Sequence, residues 1–249
     1  MASFSVIIPA AGKSSRFKDN HYKKPFVPLE NRAVWLHSAE KFLNRDDVKQ
    51  LILVISAEDR QEFMDKFAAN VAILGIEVVD GGDSRGESVR NAVQRVREDL
   101  DFICIHDAAR PCLAEVWIDR VFEAAVASGA ATLGIEVTST IKKVVDGMVK
   151  ETISRDSLWE SQTPQVFRRQ MLLDAFAAAS DEQLRQVTDE AQLVEWQGTD
   201  VKMVTGSPLN RKVTTRADLV FARQALKALP KPDLLGRKTH PFQDGDMWR

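Results

Sequence analysis

The stretch that decides the fold is Phe4-Ser5-Val6-Ile7-Ile8-Pro9, followed at once by Ala10-Ala11-Gly12-Lys13-Ser14-Ser15-Arg16. A short apolar run rich in β-branched residues is typical of a buried strand, and the small residues after it are typical of a loop. Similar runs recur at 51–55, 76–79, 102–105 and 131–135, and helical patterns lie between them at 34–44, 59–69, 86–97 and 114–128. The alternation predicts an α/β fold with a mostly parallel sheet covered by helices on both faces.

The alternation stops after residue 136, where two apolar-rich runs, 140–145 and 148–153, flank Asp146-Gly147. This pair favours the positive φ angles of a tight hairpin turn, so we predict a protruding two-stranded arm at about 138–155. An isolated hairpin is marginal in water, and we expect the arm to pack on its own domain or on another subunit. Helices at 169–179, 188–196 and 216–228 and a strand at 201–204 complete one domain over 1–229. Residues 230–249 lose all periodicity and are predicted to form a flexible C-terminal tail.

Composition excludes several classes of protein. The chain has 249 residues, with 34 Lys and Arg against 36 Asp and Glu, and its formal charge of -2 argues against nucleic-acid or anionic-lipid partners. The only two cysteines, Cys104 and Cys112, and four scattered histidines lack the spacing of a zinc site. No stretch approaches the roughly 20 apolar residues of a membrane span. We therefore expect a cytoplasmic protein.

The loop after the first strand has features of a phosphate-binding loop. In a doubly wound sheet this loop lies at the carboxyl edge, and small residues let backbone N–H groups approach a triphosphate. Arg16 and Lys24, with Lys23 as the alternative to Lys24, would add positive charge. Neither the dinucleotide-binding fingerprint nor the P-loop pattern is present, which disfavours both classes. The alternative interpretation is a glycine-containing turn with solvated bases.

The loop after the third strand, 80–88, also suits a nucleotide. Its adjacent glycines permit backbone contact with a planar base, while Asp83 and Ser88 offer short polar groups. An ordinary loop and helix cap explains the same residues. The segment Thr188-Asp189-Glu190-Ala191 is a helix start in which Thr188 can cap.

Asp107 follows the strand at 102–105, within His106-Asp107-Ala108-Ala109-Arg110-Pro111. A carboxylate at this position suits Mg²⁺, which takes one or two carboxylates together with phosphate oxygens. The alternative is a structural ion pair between Asp107 and Arg110. His106 is interpreted as a hydrogen-bonded core residue.

Taken together, these segments resemble a known family. The series runs Pro-Ala-Ala-Gly with Arg16, Gly-Gly-Asp-x-Arg with Ser88, His-Asp-Ala-Ala-Arg-Pro, Thr-Ile-Lys, Thr-Pro-Gln-x-Phe, Thr-Asp-Glu-Ala and Asn-x-Lys-Val-Thr. In this order, over about residues 4–225, it is similar to the 2-C-methyl-D-erythritol 4-phosphate cytidylyltransferase family.

The resemblance implies a nucleotidyltransferase with a Rossmann-like sheet. CTP and methylerythritol phosphate would give the CDP-linked alcohol and pyrophosphate, with Mg²⁺ as cofactor, in a homodimer joined through the arm. Carried over by motif, the nucleotide-binding residues are Ala10, Ala11, Gly12, Gly82, Asp83, Ser88 and Ala108. The catalytic cations are Arg16, Lys24 and Lys212; the metal ligand is Asp107; and the acceptor is bound by Lys212 together with Thr140 and Arg155 from the arm of the dimer partner.

One departure from the family leaves an alternative acceptor open. Ser139 stands where the family usually has Asp, on the acceptor side of the site. A cytidylyltransferase for another alcohol phosphate, such as ribitol 5-phosphate, is therefore the first alternative. A non-catalytic nucleotide-binding protein of the same fold is the second.

Overall fold

The computed structural model describes residues 1–12 and 26–230. The predicted catalytic residues Arg16 and Lys24, and the predicted tail from residue 231 onward, lie outside the described residues. The elements are β1 (Phe4–Pro9), β2 (Pro28–Leu29), β3 (Arg32–Ala33), α1 (Val34–Leu43), β4 (Val48–Ile55), α2 (Arg60–Leu74), β5 (Glu77–Asp80), α3 (Arg85–Val93), β6 (Phe102–Ile105), α4 (Glu115–Ser128), β7 (Ala130–Glu136), β8 (Ile141–Val145), β9 (Met148–Ile153), β10 (Trp159–Arg168), α5 (Arg169–Ala178), α6 (Asp181–Gln186), α7 (Glu190–Glu195), β11 (Lys202–Thr205) and α8 (Arg216–Ala228).

The central sheet has seven strands in the order β11-β7-β10-β6-β1-β4-β5. β10 runs antiparallel to both of its neighbours, and the other pairings are parallel. The mostly parallel α/β sheet predicted from the sequence is confirmed. β1 lies between β6 and β4, so the chain proceeds outward from it in both directions, which opens a crevice at the carboxyl ends of these strands.

Both faces of the sheet are buried, as the apolar runs predict. In β1, Val6 and Ile8 belong to a core formed with α1, α2 and α4, whereas Ile7 belongs to a second core formed with α3, α5, α6 and α7. A third, smaller cluster packs α8 against β2. Among the described residues, no helix has the length and apolar character needed to cross a bilayer.

The strand β10 is absent from the sequence-based prediction. Pro164 lies within it, and proline disfavours a central strand because it donates no backbone hydrogen bond. The structure accommodates Pro164 because the register of β10 against β7 shifts between Ser161 and Gln165, while Gln165–Arg168 pair with β6. The helix α6 was also missed, and α2 extends to Leu74, where Gly75 ends it at a φ of 62°.

The arm has the predicted form. β8 and β9 pair in an antiparallel sheet of their own, and Asp146 and Gly147 both have positive φ, at 51° and 75°. Four apolar side chains of the arm are exposed: Val144, Val145, Met148 and Val149. They flank the turn as two cross-strand pairs, Val144 with Val149 and Val145 with Met148. This apolar set is the "arm tip" below.

Candidate active site

A cavity of about 510 Å³ opens at the carboxyl edge of the sheet, where β1, β4, β5 and β6 end. Every predicted nucleotide-binding residue lines it, and so do Asp107 and Lys212. The full lining comprises Pro9, Ala10, Ala11, Gly12, Ser56, Ala57, Glu58, Gly81, Gly82, Asp83, Ser84, Arg85, Ser88, Asp107, Ala108, Ala109 and Lys212. The sheet thus joins segments that are far apart in the chain.

Two loops meet at one wall of the cavity through Gly81. A Cβ at this position would lie 2.7 Å from the Cβ of Ala11 and 2.8 Å from Oγ of Ser88. Only glycine therefore fits here without movement of a neighbour. The amide of Gly81 also donates to the carbonyl of Ile55 at 2.7 Å, which fixes its loop to the end of β4. The sequence placed both adjacent glycines in the predicted loop, but the nucleotide-binding set carried over from the family named Gly82 and not Gly81.

The Asp80–Ser88 loop is a helix cap and a cavity wall at once. Ser84 caps α3 in a capping box with Glu87. The buried hydroxyl of Ser88 accepts from the amide of Gly82 at 3.1 Å and donates to the carbonyl of Ser84 at 2.7 Å. Asp83 is exposed at the cavity. Ser88 thus holds the loop, and Asp83 is the side chain that a ligand can reach.

Asp107 is buried among three cationic side chains. Its Oδ2 lies 2.8 Å from Nζ of Lys212 and 3.4 Å from Nε of Arg110, and its Oδ1 lies 3.8 Å from a terminal nitrogen of Arg85. Burial alone would raise the pKa of Asp107, but Lys212, Arg85 and Arg110 more than offset it and hold this pKa well below its usual range. The carboxylate is therefore ionised. The ion pair with Arg110, the alternative interpretation, exists alongside the contact with Lys212.

His106 supports Asp107 as a neutral imidazole. Its Nε2–H donates to the carbonyl of Arg110 at 3.0 Å, so Nδ1 accepts from the hydroxyl of Thr163 at 3.1 Å. The same hydroxyl oxygen accepts from the amide of Asp107 at 3.0 Å. Burial lowers the pKa of His106 to about 4. The core role predicted from the sequence matches these contacts.

Lys212 reaches Asp107 because its segment docks on the loop after β6. Arg110 donates to the carbonyl of Asn210 at 2.7 Å, and the amide of Val213 donates to the carbonyl of Ala109 at 2.7 Å. The buried side chain of Asn210 donates to the carbonyl of Thr163 at 2.8 Å. These bonds explain why Asn-x-Lys-Val-Thr surrounds the lysine.

Two charged residues next to Asp107 were missed at the sequence level. Arg85 forms a bidentate pair with the fully buried Glu190, at 2.6 and 2.9 Å. Their signal was present, because Arg85 ends Gly-Gly-Asp-x-Arg and Glu190 belongs to Thr-Asp-Glu-Ala. The prediction that Thr188 caps α7 is wrong: Asp189 is the N-cap, and its side chain accepts from the amide of Gln192. The carboxylate of Asp189 sits one residue closer to the exposed amides of the first turn than the hydroxyl of Thr188 does.

Thr140 and Arg155, the predicted acceptor-binding residues, do not line the cavity of their own chain. Both are exposed at the base of the arm, and Arg155 donates to the carbonyl of Thr138. The structure therefore brings together Asp107, Lys212 and the nucleotide-binding set, and leaves these two residues apart.

A family model described as IspD, 2-C-methyl-D-erythritol 4-phosphate cytidylyltransferase, matches residues 4–228. The chain belongs to this family. A cytidylyltransferase of this name from Rhodopirellula baltica is 37% identical over 236 residues, covering 90% of this chain and 95% of the relative. One from Bacillus pumilus is 36% identical, covering 90% of this chain and 97% of the relative.

Solved structures of the family share the fold. The Francisella tularensis 2-C-methyl-D-erythritol 4-phosphate cytidylyltransferase is 31% identical, with a TM-score of 0.75 over 90% of this chain and 100% of that one. The Thermus thermophilus enzyme is 27% identical, with a TM-score of 0.74 over 89% of this chain and 98% of that one. Family membership, inferred from the motif series, is confirmed over nearly the predicted range.

Proposed function

We propose that this chain transfers the cytidylyl group from CTP to 2-C-methyl-D-erythritol 4-phosphate and releases pyrophosphate, a step of non-mevalonate isoprenoid precursor synthesis. Membership of the cytidylyltransferase family supports the reaction class. The observation that carries the proposal is the cavity in which Asp107, Lys212 and the two glycine-containing loops converge. Its volume of about 510 Å³ lies within the range of small-molecule sites.

The chemistry requires positioning and charge neutralisation. An oxygen of the acceptor phosphate forms a bond to the α-phosphorus of CTP, and the bond from that phosphorus to the oxygen of pyrophosphate breaks. The reacting groups are both anions, and the acceptor oxygen is already ionised, so no general base is needed. We assign the neutralising role to Lys212 and, among residues that the structure does not describe, to Arg16 and Lys24. The backbone of Ala11 and Gly12 is assigned to the triphosphate, because the amide of Ala10 already donates to the carbonyl of Val54 at 2.8 Å.

The residues present fit Mg²⁺ delivered with the triphosphate. No group of three or more His, Cys, Asp or Glu side chains able to hold a metal occurs in residues 1–12 and 26–230. Mg²⁺ does not need such a cage, since it is usually held by one or two carboxylates together with substrate phosphates. The ionised Asp107 at the cavity wall is such a ligand. When bound, the ion would offset negative charge on the phosphates. Lys212 would then leave Asp107 and donate to phosphate oxygens instead.

We also propose that the acceptor site is completed by a second copy of the chain. Thr140 and Arg155 are exposed on an arm that pairs with no strand of the central sheet in the described residues. The arm tip is apolar, with Met148 65% and Val149 61% exposed. A partner subunit that buries this tip would explain its composition, because two unsupported strands are marginal in water.

The test is a pyrophosphate-release assay with CTP and each of two acceptors, methylerythritol phosphate and ribitol 5-phosphate. Turnover with the first acceptor at a higher kcat/KM supports the proposal. Preference for ribitol 5-phosphate would move the assignment to the alternative that Ser139 suggests. CTP binding in calorimetry without turnover on either acceptor would indicate a non-catalytic member of the family.

A further inference from the structure

Beside Asp107 lies an ion pair that the proposed chemistry does not use, in which Arg85 is half-buried and lines the cavity. Glu190 is fully buried, and its two oxygens accept from both terminal nitrogens of Arg85 at 2.6 and 2.9 Å. One of those nitrogens lies 3.8 Å from Oδ1 of Asp107, just beyond hydrogen-bond distance. One arginine thus stands between two carboxylates and is bonded to only one of them.

Glu190 is itself fixed to the sheet. Gln165, buried on β10, accepts from the amides of Glu190 and Ala191 at 3.0 and 3.1 Å through Oε1. Its Nε2 donates to Asp189 at 2.9 Å. The start of α7 is therefore anchored to the middle of the sheet. This anchoring of the backbone limits how far the carboxylate of Glu190 can follow Arg85 if the arginine moves toward Asp107.

A buried ion pair is weak evidence for a stabilising role, because the cost of desolvating two charges can exceed their attraction. A bidentate Arg–carboxylate pair is instead strongly directional. If Glu190 lost its charge, Arg85 would keep two neighbouring carboxylates, Asp107 and Asp189. Asp189 already accepts from Gln165, whereas Oδ1 of Asp107 lies 3.8 Å from Arg85, so the arginine would turn to Asp107. The Oδ1 atom of Asp107 would then be occupied by Arg85, while Oδ2 already faces Lys212 and Arg110.

We propose that Glu190 is a positioning residue that holds Arg85 away from Asp107 and so keeps Oδ1 of Asp107 available to a ligand in the cavity. The proposal rests on the proposed function, in which that ligand is the divalent cation of the CTP complex. Mutation of a residue that orients a metal ligand without contacting the metal typically changes metal affinity or activity by about 10- to 100-fold. We expect a change of that size in Glu190→Gln.

The first experiment is a crystal structure of Glu190→Gln without metal or nucleotide. We expect Arg85 to approach Asp107 to about 2.8 Å, the distance of a charge-assisted bond. An unchanged separation would overturn the proposal. This measurement depends on neither turnover nor a bound ion, so it separates the inference from the proposed function.

The second experiment compares cation dependence. In Glu190→Gln, the Mn²⁺ concentration at half-saturation, followed by electron paramagnetic resonance with CTP present, should rise about 10- to 100-fold, and kcat/KM at fixed Mg²⁺ should fall in parallel. The double variant Arg85→Gln/Glu190→Gln also removes the guanidinium that would occupy Oδ1 of Asp107. Its Mn²⁺ concentration at half-saturation should therefore lie within a few-fold of the wild-type value. A double variant as impaired as Glu190→Gln contradicts the proposal, as does a single variant with wild-type cation dependence.

The matched control is Asp47→Asn. Arg45 is also bidentate to one carboxylate, Asp47, at 2.9 and 2.8 Å, and lies near a second, Asp119, at 2.7 Å, but none of the three lines the cavity. This variant should change thermal stability without changing cation dependence. If Glu190→Gln does not fold, Glu190→Asp, whose shorter side chain cannot hold both nitrogens, and the double variant provide the same comparison. If the wild-type protein showed no turnover with either acceptor, the proposed function would be wrong. The distance between Arg85 and Asp107 in Glu190→Gln would still test the inference.

Discussion

Gly81 offers a direct test of how the cavity wall is built. In Gly81→Ala the new Cβ would lie 2.7 Å from the Cβ of Ala11, and ordinary contacts begin near 3.4 Å, so the two loops must separate. The other crowded atom, Oγ of Ser88, holds the same loop through Gly82 and Ser84. Backbone strain does not contribute, because Gly81 is not among the residues with positive φ.

The magnitude follows from the overlap. Overpacking a close contact costs about 1–3 kcal/mol. For a chain of this size each kcal/mol lowers Tm by about 2–4 °C, so we expect a fall of roughly 2–12 °C. The displaced loops carry Ala11 and Gly82 of the nucleotide-binding set, and a loss of similar size would weaken CTP binding by about 10- to 100-fold.

The assay is a double-mutant cycle read by thermal unfolding and by calorimetry of CTP binding. Ala11→Gly removes the atom at 2.7 Å and should restore part of both losses in the Gly81→Ala background, with a coupling of about 0.5–3 kcal/mol. The control is Gly134→Ala, where a Cβ would meet Met203 at 2.5 Å outside the cavity. It should lower Tm and leave CTP affinity unchanged. Strictly additive effects of Ala11→Gly and Gly81→Ala would refute the packing argument.

Three further predictions concern charge, pH and the arm. Lys212→Met should lower kcat/KM by about 10²–10³, since it removes a neutralising charge, and should also lower Tm, since it leaves the buried Asp107 without its nearest cation. We expect the same loss of kcat/KM, with little change in Tm, for Arg16→Ala and Lys24→Ala; unchanged turnover in any of the three would remove that residue from the site. Burial lowers the pKa of His106 to about 4, so below about pH 6.5 the unfolded chain binds more protons than the folded one. The free energy of unfolding should therefore fall by about 2 kcal/mol when the pH is lowered from 7 to 5. Urea titrations at pH 7 and pH 5 should show a smaller fall in the free energy of unfolding for His106→Gln than for the wild type. Equal falls in the two proteins would contradict the role assigned to His106. Val149→Asp places a charge on the arm tip and should give a monomer in light scattering and strongly reduced turnover in kinetic assays, whereas a fully active monomer would exclude a shared acceptor site.

The sequence was informative where structure depends on local pattern. The β-branched runs and helical periodicities predicted the parallel strands and their covering helices, and Asp146-Gly147 predicted the hairpin turn. Asp107 could be placed at the carboxyl edge because it directly follows a buried strand. The order of short motifs identified the family, since seven motifs in one order are far more specific than any one of them.

What tertiary structure decided is the set of contacts between segments far apart in the chain. β10 was missed because Pro164 disfavours a strand locally, and the irregular register against β7 that tolerates it exists only once both neighbours are in place. Gly81, rather than Gly82 alone, matters because Ala11 packs on it. Arg85 and Glu190 become a pair only when β10 anchors α7 beside α3. Local pattern reports which surface of an element is buried, but the partner of a buried charge or a crowded Cβ is set by packing across the sheet, which no single stretch of sequence contains.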